Sequence, residues 1–355
     1  MKFSSHILRW YHKEHRNLPW RASKEPYKVW LSEIILQQTR VSQGLDYYTK
    51  FTSTFPTIKD LALANEQQVL KLWQGLGYYS RARNLHATAK HIHFDLKDKF
   101  PDNYKDLLKL KGVGPYTASA ISSICFNEKR AAVDGNVYRV LARVFNISTA
   151  INSTLGIKEF QKLADTLISE KEPGDYNQGL MELGATVCTP KKVDCNHCPL
   201  NSLCLAKSKS TISQLPIKEK KIKIKERHLN YFCIEHRNNF LMNKREGKGI
   251  WQNLYDFPME ELNTAEEEVS ITNYKPIKDL IGNKPFTVEK SRVFKHKLSH
   301  QNLNITIHHI SAKHKLLTNS YSMVNREEAL ALPVPKPIEK FFIELFDKHP
   351  LDKEL

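Results

Sequence analysis

Residues 110–117 read LKGVGPYT, and the next turn of chain, YTASAISSICF (116–126), has helical spacing. Gly112 and Gly114, one residue apart, allow a tight turn that other residues resist sterically. Pro115 suits the first turn of the following helix, whose free N–H groups favour a phosphate facing them. The stretch therefore reads as a helix–hairpin–helix turn with backbone at Gly112 and Gly114 available to DNA. Taken alone it reads equally well as a plain interhelical turn. Downstream, AVDGNV (132–137) sets Asp134 before another amphipathic run, NVYRVLARVF (136–145). Asp134 there is a good helix N-cap, or a carboxylate held at a helix start for a functional role.

Working outward, VWLSEIILQQTRV (29–41), LALANEQQVLKLW (61–73), SRARNLHATAKHIH (80–93) and IKEFQKLADTLIS (157–169) also repeat apolar residues at three- and four-residue spacing. Residues 1–206 are predicted all-α. Residues 207–227, KSKSTISQLPIKEKKIKIKER, form a basic connector, in part extended. From residue 228 the pattern turns strand-like in HLNYFCIEH, NFLMNKR, SRVFKHKL and NLNITIHHI, with a closing helix near 336–347. The second domain, 228–355, is predicted α+β.

Cys188, Cys195, Cys198 and Cys204 fall within seventeen residues. In a reducing setting such a group converges on a metal or a cluster. Structural zinc usually shows two short Cys-x-x-Cys knuckles, and only Cys195–Cys198 is one. The wider spacing favours iron–sulfur over zinc. Cys125 and Cys233 lie in apolar stretches and read as core residues. The formal net charge of +16, spread over both halves, fits a polyanionic partner or a merely basic surface. No apolar run reaches the ~18 residues of a spanning helix, and the N-terminus lacks an export signal, so a reducing, cytoplasmic setting is expected.

These motifs together resemble the helix–hairpin–helix DNA glycosylase superfamily and, within it, the MutY family of adenine DNA glycosylases. The resemblance runs over nearly the whole chain. It is carried by LPWR (18–21), SEIILQQTRV (32–41), WQGLGYYSRARNLH (73–86), LKGVGPYT, VDGNV (133–137), NQGLMELGATVCTP (177–190) and the cysteine spacing. It implies a helix–hairpin–helix glycosylase domain over 1–206 with a 4Fe–4S cluster loop at 188–204, then a linker, then a Nudix-like lesion-recognition domain over 228–355. GIWQNLYDFP (249–258) is the best landmark of that domain. The residues after it lack the Glu-rich elements of Nudix hydrolases. Recognition without nucleotide hydrolysis is therefore expected, and Glu266–Glu268 read as a solvated charge run.

The resemblance also assigns roles. Breaking the bond between base and sugar needs an acid for the leaving base and an anion for the cationic sugar. Glu33, in the apolar stretch VWLSEIIL, suits the acid, since burial raises a carboxyl pKa; otherwise it pairs with Arg40 or Arg81 on a solvated face. The family pattern makes Glu33 the proton donor to adenine N7 and Asp134 the stabiliser of the cation, with Tyr116 and Asn136 in support. Arg16, Trp20, Arg21 and Gln178 would line the adenine pocket. Gln38, Thr39, Leu76 and Tyr78 would wedge the DNA. Lys111, Gly112, Val113 and Gly114 would meet its backbone. Leu298, Ser299 and His300 match the loop that reads 8-oxoguanine, usually Phe-Ser-His in this family; a β-turn is the plainer reading. Tyr116 stands where bifunctional relatives place a nucleophilic Lys, which implies a monofunctional enzyme with weak or no strand cleavage. The expected partner is duplex DNA with adenine opposite 8-oxoguanine or guanine, bound by a monomer, with a repair-protein contact at the linker. A bifunctional pyrimidine glycosylase and a non-catalytic DNA-binding protein are the competing readings.

Overall fold

The computed structural model describes residues 2–219, 224–262, 270–318 and 321–347. The chain divides into two compact units. Met1–Leu63 with Asn84–Lys220 forms a helical unit; Ala64–Arg83 with Lys221–Leu355 forms a unit built on a sheet. The second unit thus takes in a helical stretch that local spacing places with the first 206 residues. Glu266–Glu268 lie outside the described residues.

The helices are α1 (Phe3–Glu14), α2 (Pro26–Leu36), α3 (Val41–Thr54), α4 (Ile58–Leu63), α5 (Glu66–Leu72), α6 (Ser80–Lys90), α7 (Tyr104–Leu107), α8 (Pro115–Phe126) and α9 (Gly135–Val144). They continue with α10 (Thr154–Leu167), α11 (Pro173–Thr186), α12 (Leu205–Ser208), α13 (Lys275–Leu280), α14 (Arg326–Ala331) and α15 (Lys336–Asp347). α2 is buried on nearly every side, through Tyr27, Val29, Trp30, Leu31, Ile34 and Ile35, as befits a helix inside a core. Two predicted helices are shorter than their spacing suggests. Gln38 takes a φ of +56°, which stops α2 before α3 begins. Asn65 accepts the Gln67 N–H at 2.9 Å and caps α5, so 61–73 is two helices rather than one. α6 passes at His91 into a short π-helical turn.

Two glycines let the helical unit close around its site. Gly112 adopts φ +80°, and a Cβ there would meet the Asn84 side chain at 2.7 Å. Gly184 on α11 lies so close to α9 that a Cβ would stand 2.6 Å from Asn136 Cβ. Gly114, in contrast, has an ordinary φ and nothing within 4 Å of an added Cβ. The hairpin therefore needs glycine sterically at 112 only, where the sequence suggested both; at 114 the missing side chain simply leaves open space.

The strands are β1 (Lys225–His236), β2 (Asn239–Lys244), β3 (Tyr255–Asp256), β4 (Met259–Leu262), β5 (Thr287–Lys297), β6 (Gln301–Ser311) and β7 (Ser322–Asn325). The sheet order is β3-β2-β1-β6-β5, with β4 on β1 and β7 on β2. β1 and β6 pair in parallel, Lys225 opposite Gln301 through Glu235 opposite Ser311. β5 and β6 form an antiparallel hairpin whose tip is residues 298–300. One face packs Phe232, Ile234, Leu241 and Ile310 against Ile277 and Leu280 of α13.

Candidate active site

Four elements of the helical unit bring their side chains together. α2 carries Glu33, the start of α8 carries Tyr116, the start of α9 carries Asp134 and Asn136, and α11 carries Met181 and Glu182. Burial lifts the Glu33 carboxyl to about 7; its hydrogen bond with Tyr116 opposes the rise, the charge of Asp134 adds to it, and Arg21 opposes it. Tyr116 feels both carboxylates and is itself pushed well above its ordinary value, first by burial. Its hydroxyl donates to Met181 Sδ at 3.1 Å. A phenol has one hydrogen to give, and turned to the Glu33 carboxylate instead it favours the anion, which is why that contact opposes the rise.

Asp134 is the N-cap of α9. Its Oδ1 accepts the N–H of Asn136 at 2.9 Å and of Val137 at 2.8 Å, and its Oδ2 accepts Asn136 Nδ2 at 2.8 Å. Burial raises this carboxyl above its ordinary value, against the pull of those donors and of Arg139. All three donors favour the anion, as does the positive end of the helix. Among the described residues Glu33 has no comparable set of donors, so the two carboxyls sit in opposite chemical settings a short reach apart.

Beside them lies a paired-charge wall. Glu182 is buried and accepts Arg16 Nε at 2.6 Å, Arg16 Nη2 at 2.7 Å and Arg21 Nη2 at 2.8 Å. Burial alone would raise this carboxyl, but the guanidinium hydrogen bonds overcome it and hold Glu182 at about 2. Gln178 and Glu182, four residues apart, share one face of α11. Trp20 is buried edge-on against Tyr48 at 5.3 Å. Sequence reading named Arg16, Trp20, Arg21 and Gln178 but passed over Glu182 and Met181. The available signal was helical register: both fall on the face that Gln178 already marked.

Gln38 and Thr39 lie just past the end of α2, Gln38 exposed. Lys111 is exposed on the hairpin, and its carbonyl accepts Thr88 Oγ1 at 2.8 Å; Val113 is buried beneath. Arg40 is exposed, and the groups acting on Glu33 are Tyr116, Asp134 and Arg21, so Glu33 is no solvated-face pair with Arg40.

Cys188, Cys195, Cys198 and Cys204 line one small cavity with Val140, Val144, Val187, Val193 and Ile212. Arg143 points into it and reaches Cys188 Sγ at 3.4 Å. Four thiols lining one cavity are a donor set that an iron–sulfur cluster takes, and one that zinc also takes. A run of hydrogen bonds joins this cavity to Asp134. Arg139 Nη2 donates to Asn136 Oδ1 at 2.7 Å, and Arg139 Nε donates to the carbonyl of Cys188 at 2.7 Å.

In the sheet unit, Tyr78 has φ +49° and is 46% exposed, whereas Leu76 is buried. Tyr78 donates its hydroxyl hydrogen to Ser299 Oγ at 3.1 Å. Leu298 N–H donates to Gln301 O at 2.8 Å, closing the β5–β6 turn with Ser299 and His300 exposed at its tip. A pocket of about 460 Å³ lies between this turn, the 75–80 loop and Trp251.

Residues 31–165 match the HhH-GPD superfamily base excision DNA repair protein family, and residues 230–344 match the NUDIX domain. The adenine DNA glycosylase of Buchnera aphidicola subsp. Schizaphis graminum is 36% identical, over 97% of this chain and 98% of that one. The human adenine DNA glycosylase is 45% identical over 60% of this chain and 41% of its own length. A thermostable thymine-DNA glycosylase structure superposes with a TM-score of 0.54 at 32% identity, covering 58% of this chain and 95% of that one. No helix among the described residues is long and apolar enough to cross a membrane.

Proposed function

The chain belongs to the adenine DNA glycosylases of base-excision repair, with a helical HhH-GPD domain and a Nudix-like domain, and from that premise we propose that it removes adenine opposite 8-oxoguanine, and opposite guanine, as a monofunctional glycosylase. The single observation that carries the reading is the difference in donors: burial raises both carboxyls, but Asp134 accepts three hydrogen bonds at a helix start while Glu33 meets one phenol. The target adenine leaves the stack to reach them. Glu33 transfers its proton to N7 of the extruded base. The C1′–N9 bond breaks with its electron pair going to the base, and C1′ takes oxocarbenium character. Asp134 stabilises that cation, water adds its oxygen to C1′, and the water proton passes to Asp134, which releases it to solvent. Adenine and an abasic site result, and Glu33 regains its proton from solvent. Asn136 holds Asp134 in place, and Tyr116 holds Glu33.

Tyr116 offers no amine to attack C1′, so no Schiff base forms. Arg16, Arg21, Gln178, Trp20 and Glu182 surround the base. Gln38 and Thr39 of the helical unit fill the space it vacates, Tyr78 of the sheet unit wedges the DNA, and Lys111 with the 112–114 backbone grips phosphate. Ser299 meets the altered N7–H/O8 edge of the lesion, and Leu298 wedges without aromatic stacking. Cys188, Cys195, Cys198 and Cys204 hold a 4Fe–4S cluster, whose part is to fix a DNA-binding loop. Through Arg139 the same loop bears on Asn136 and so on Asp134.

A single-turnover assay on duplexes with adenine opposite 8-oxoguanine, guanine, thymine and cytosine tests the reading. Excision is expected with the first two. Equal rates on all four would remove the mispair specificity. Efficient borohydride trapping of a covalent DNA adduct would instead establish a lyase and overturn the Tyr116 argument.

A further inference from the structure

The segment 64–83 is tied to the sheet unit at both of its ends and at its tip. Near its start, Asn253 Nδ2 donates to Glu66 Oε1 at 2.7 Å, and Tyr255 hydroxyl donates to Gln67 Oε1 at 3.3 Å. Lys71 Nζ donates to the carbonyls of Leu330 at 2.5 Å and Leu332 at 3.0 Å, the last turn of α14, where a cation suits the helix end. Val334 N–H donates to Gln74 Oε1 at 3.0 Å. At the far end Arg83 Nη1 donates to Gln252 O at 2.8 Å. The loop between is stiffened from inside. Trp73 Nε1 donates to Gly77 O at 3.0 Å, Gly75 N–H donates to Tyr79 hydroxyl at 3.3 Å, and Arg81 stacks over the Trp73 ring. The result places Tyr78 over Ser299.

We propose that residues 64–83, which lie inside the HhH-GPD match yet group by contact with the sheet, act as a wedge arm, with Lys71 as the residue that positions it. The arm and the β5–β6 turn then enter DNA as one body, so the spacing between the wedging ring of Tyr78 and the reading hydroxyl of Ser299 is set before binding. This assignment rests on the proposed wedge and reading roles. Burial lowers the pKa of Lys71, in keeping with an ammonium withdrawn from water onto two carbonyls. Its loss would leave those carbonyls without their donor and loosen the arm at its base. Discrimination would suffer more than bond cleavage, because none of the Glu33 machinery lies in this unit.

The test compares full-length Lys71→Met, Lys71→Arg and Gln74→Leu with the unsubstituted protein, each loaded with its cluster and checked by thermal melting. Two readouts are taken. One is the ratio of single-turnover excision at saturating enzyme for adenine opposite 8-oxoguanine and opposite guanine. The other is emission from 2-aminopurine placed beside the orphan base, which reports unstacking by the wedge. Lys71→Met is expected to cut the ratio about tenfold, the scale of one lost hydrogen bond to a charged donor, and to dim the 2-aminopurine signal. Lys71→Arg should restore most of both, and Gln74→Leu should give a smaller loss of the same kind. Full ratio and full emission in a folded Lys71→Met protein would overturn the assignment. If the unsubstituted protein showed no preference between the two mispairs, the lesion reading would fail instead, and the emission alone would still decide whether Lys71 sets the wedge.

Discussion

The α2 wall and the α11 wall of the helical unit each bury a glutamate, and the two behave oppositely. Around Glu33 burial outweighs one phenol and the Arg21 charge, and Asp134 adds to it, so the carboxyl is raised to about 7. Around Glu182 two guanidiniums donate three short hydrogen bonds, so the carboxyl stays ionised down to about 2. Burial alone therefore says little about charge in this molecule; the donors brought to the carboxyl decide it. One wall raises its carboxyl toward the neutral form, while the other keeps an anion hydrogen-bonded to two arginines.

The largest test of this contrast is Glu33→Gln, which keeps the shape and removes the transferable proton. Single-turnover excision is expected to fall by about 10²–10⁴-fold, the usual range for a general acid. Normal excision would end the distinction between the walls. Next comes Glu182→Gln, which leaves Arg16 and Arg21 facing a neutral amide. Urea denaturation should show a loss of about 3 kcal/mol, the low end for a broken buried pair because Arg16 is partly exposed.

The pH dependence sharpens the same comparison. Glu33 is an acid whose pKa is raised on folding from 4.5 to about 7. The folded state thus holds the proton more tightly, and stability is lost as pH climbs through that window. Glu33→Gln should therefore melt higher than the unsubstituted protein at about pH 8 and match it near pH 4. Excision itself should decline as pH passes about 7, because the donor empties. Glu182 has the opposite sign. Its contribution is present above the ordinary carboxylate pKa and disappears as pH falls toward about 2. The smallest expected effect lies in the other unit. Leu298→Phe adds a ring able to stack, and should raise the preference for 8-oxoguanine by about 2- to 10-fold in paired single-turnover assays.

Much of the site was legible in the chain because its signals are local. Asp134 before NVYRVLARVF is a helix cap in any context, and the structure makes it one. The helical spacing, the 298–300 turn and the 336–347 helix likewise depend on residues near in sequence. The breaks at Gln38 and Asn65 were harder to see, since one left-handed residue or one side-chain cap outweighs an otherwise continuous apolar period.

The sequence by itself determined the groups on offer: carboxyls at 33 and 134, a tyrosine at 116, four thiols, and an apolar helix around position 33. Only the tertiary structure decided which carboxyl would be neutral. Glu182 meets cationic partners 161 and 166 residues away, whereas Glu33 meets a phenol in apolar surroundings. It also decided that residues 64–83 belong with the sheet, through bonds reaching residues 252–334. The reason is physical. Propensity and capping act within a few residues, but a buried group's charge and a segment's allegiance depend on which distant donors the packing brings within about 3 Å.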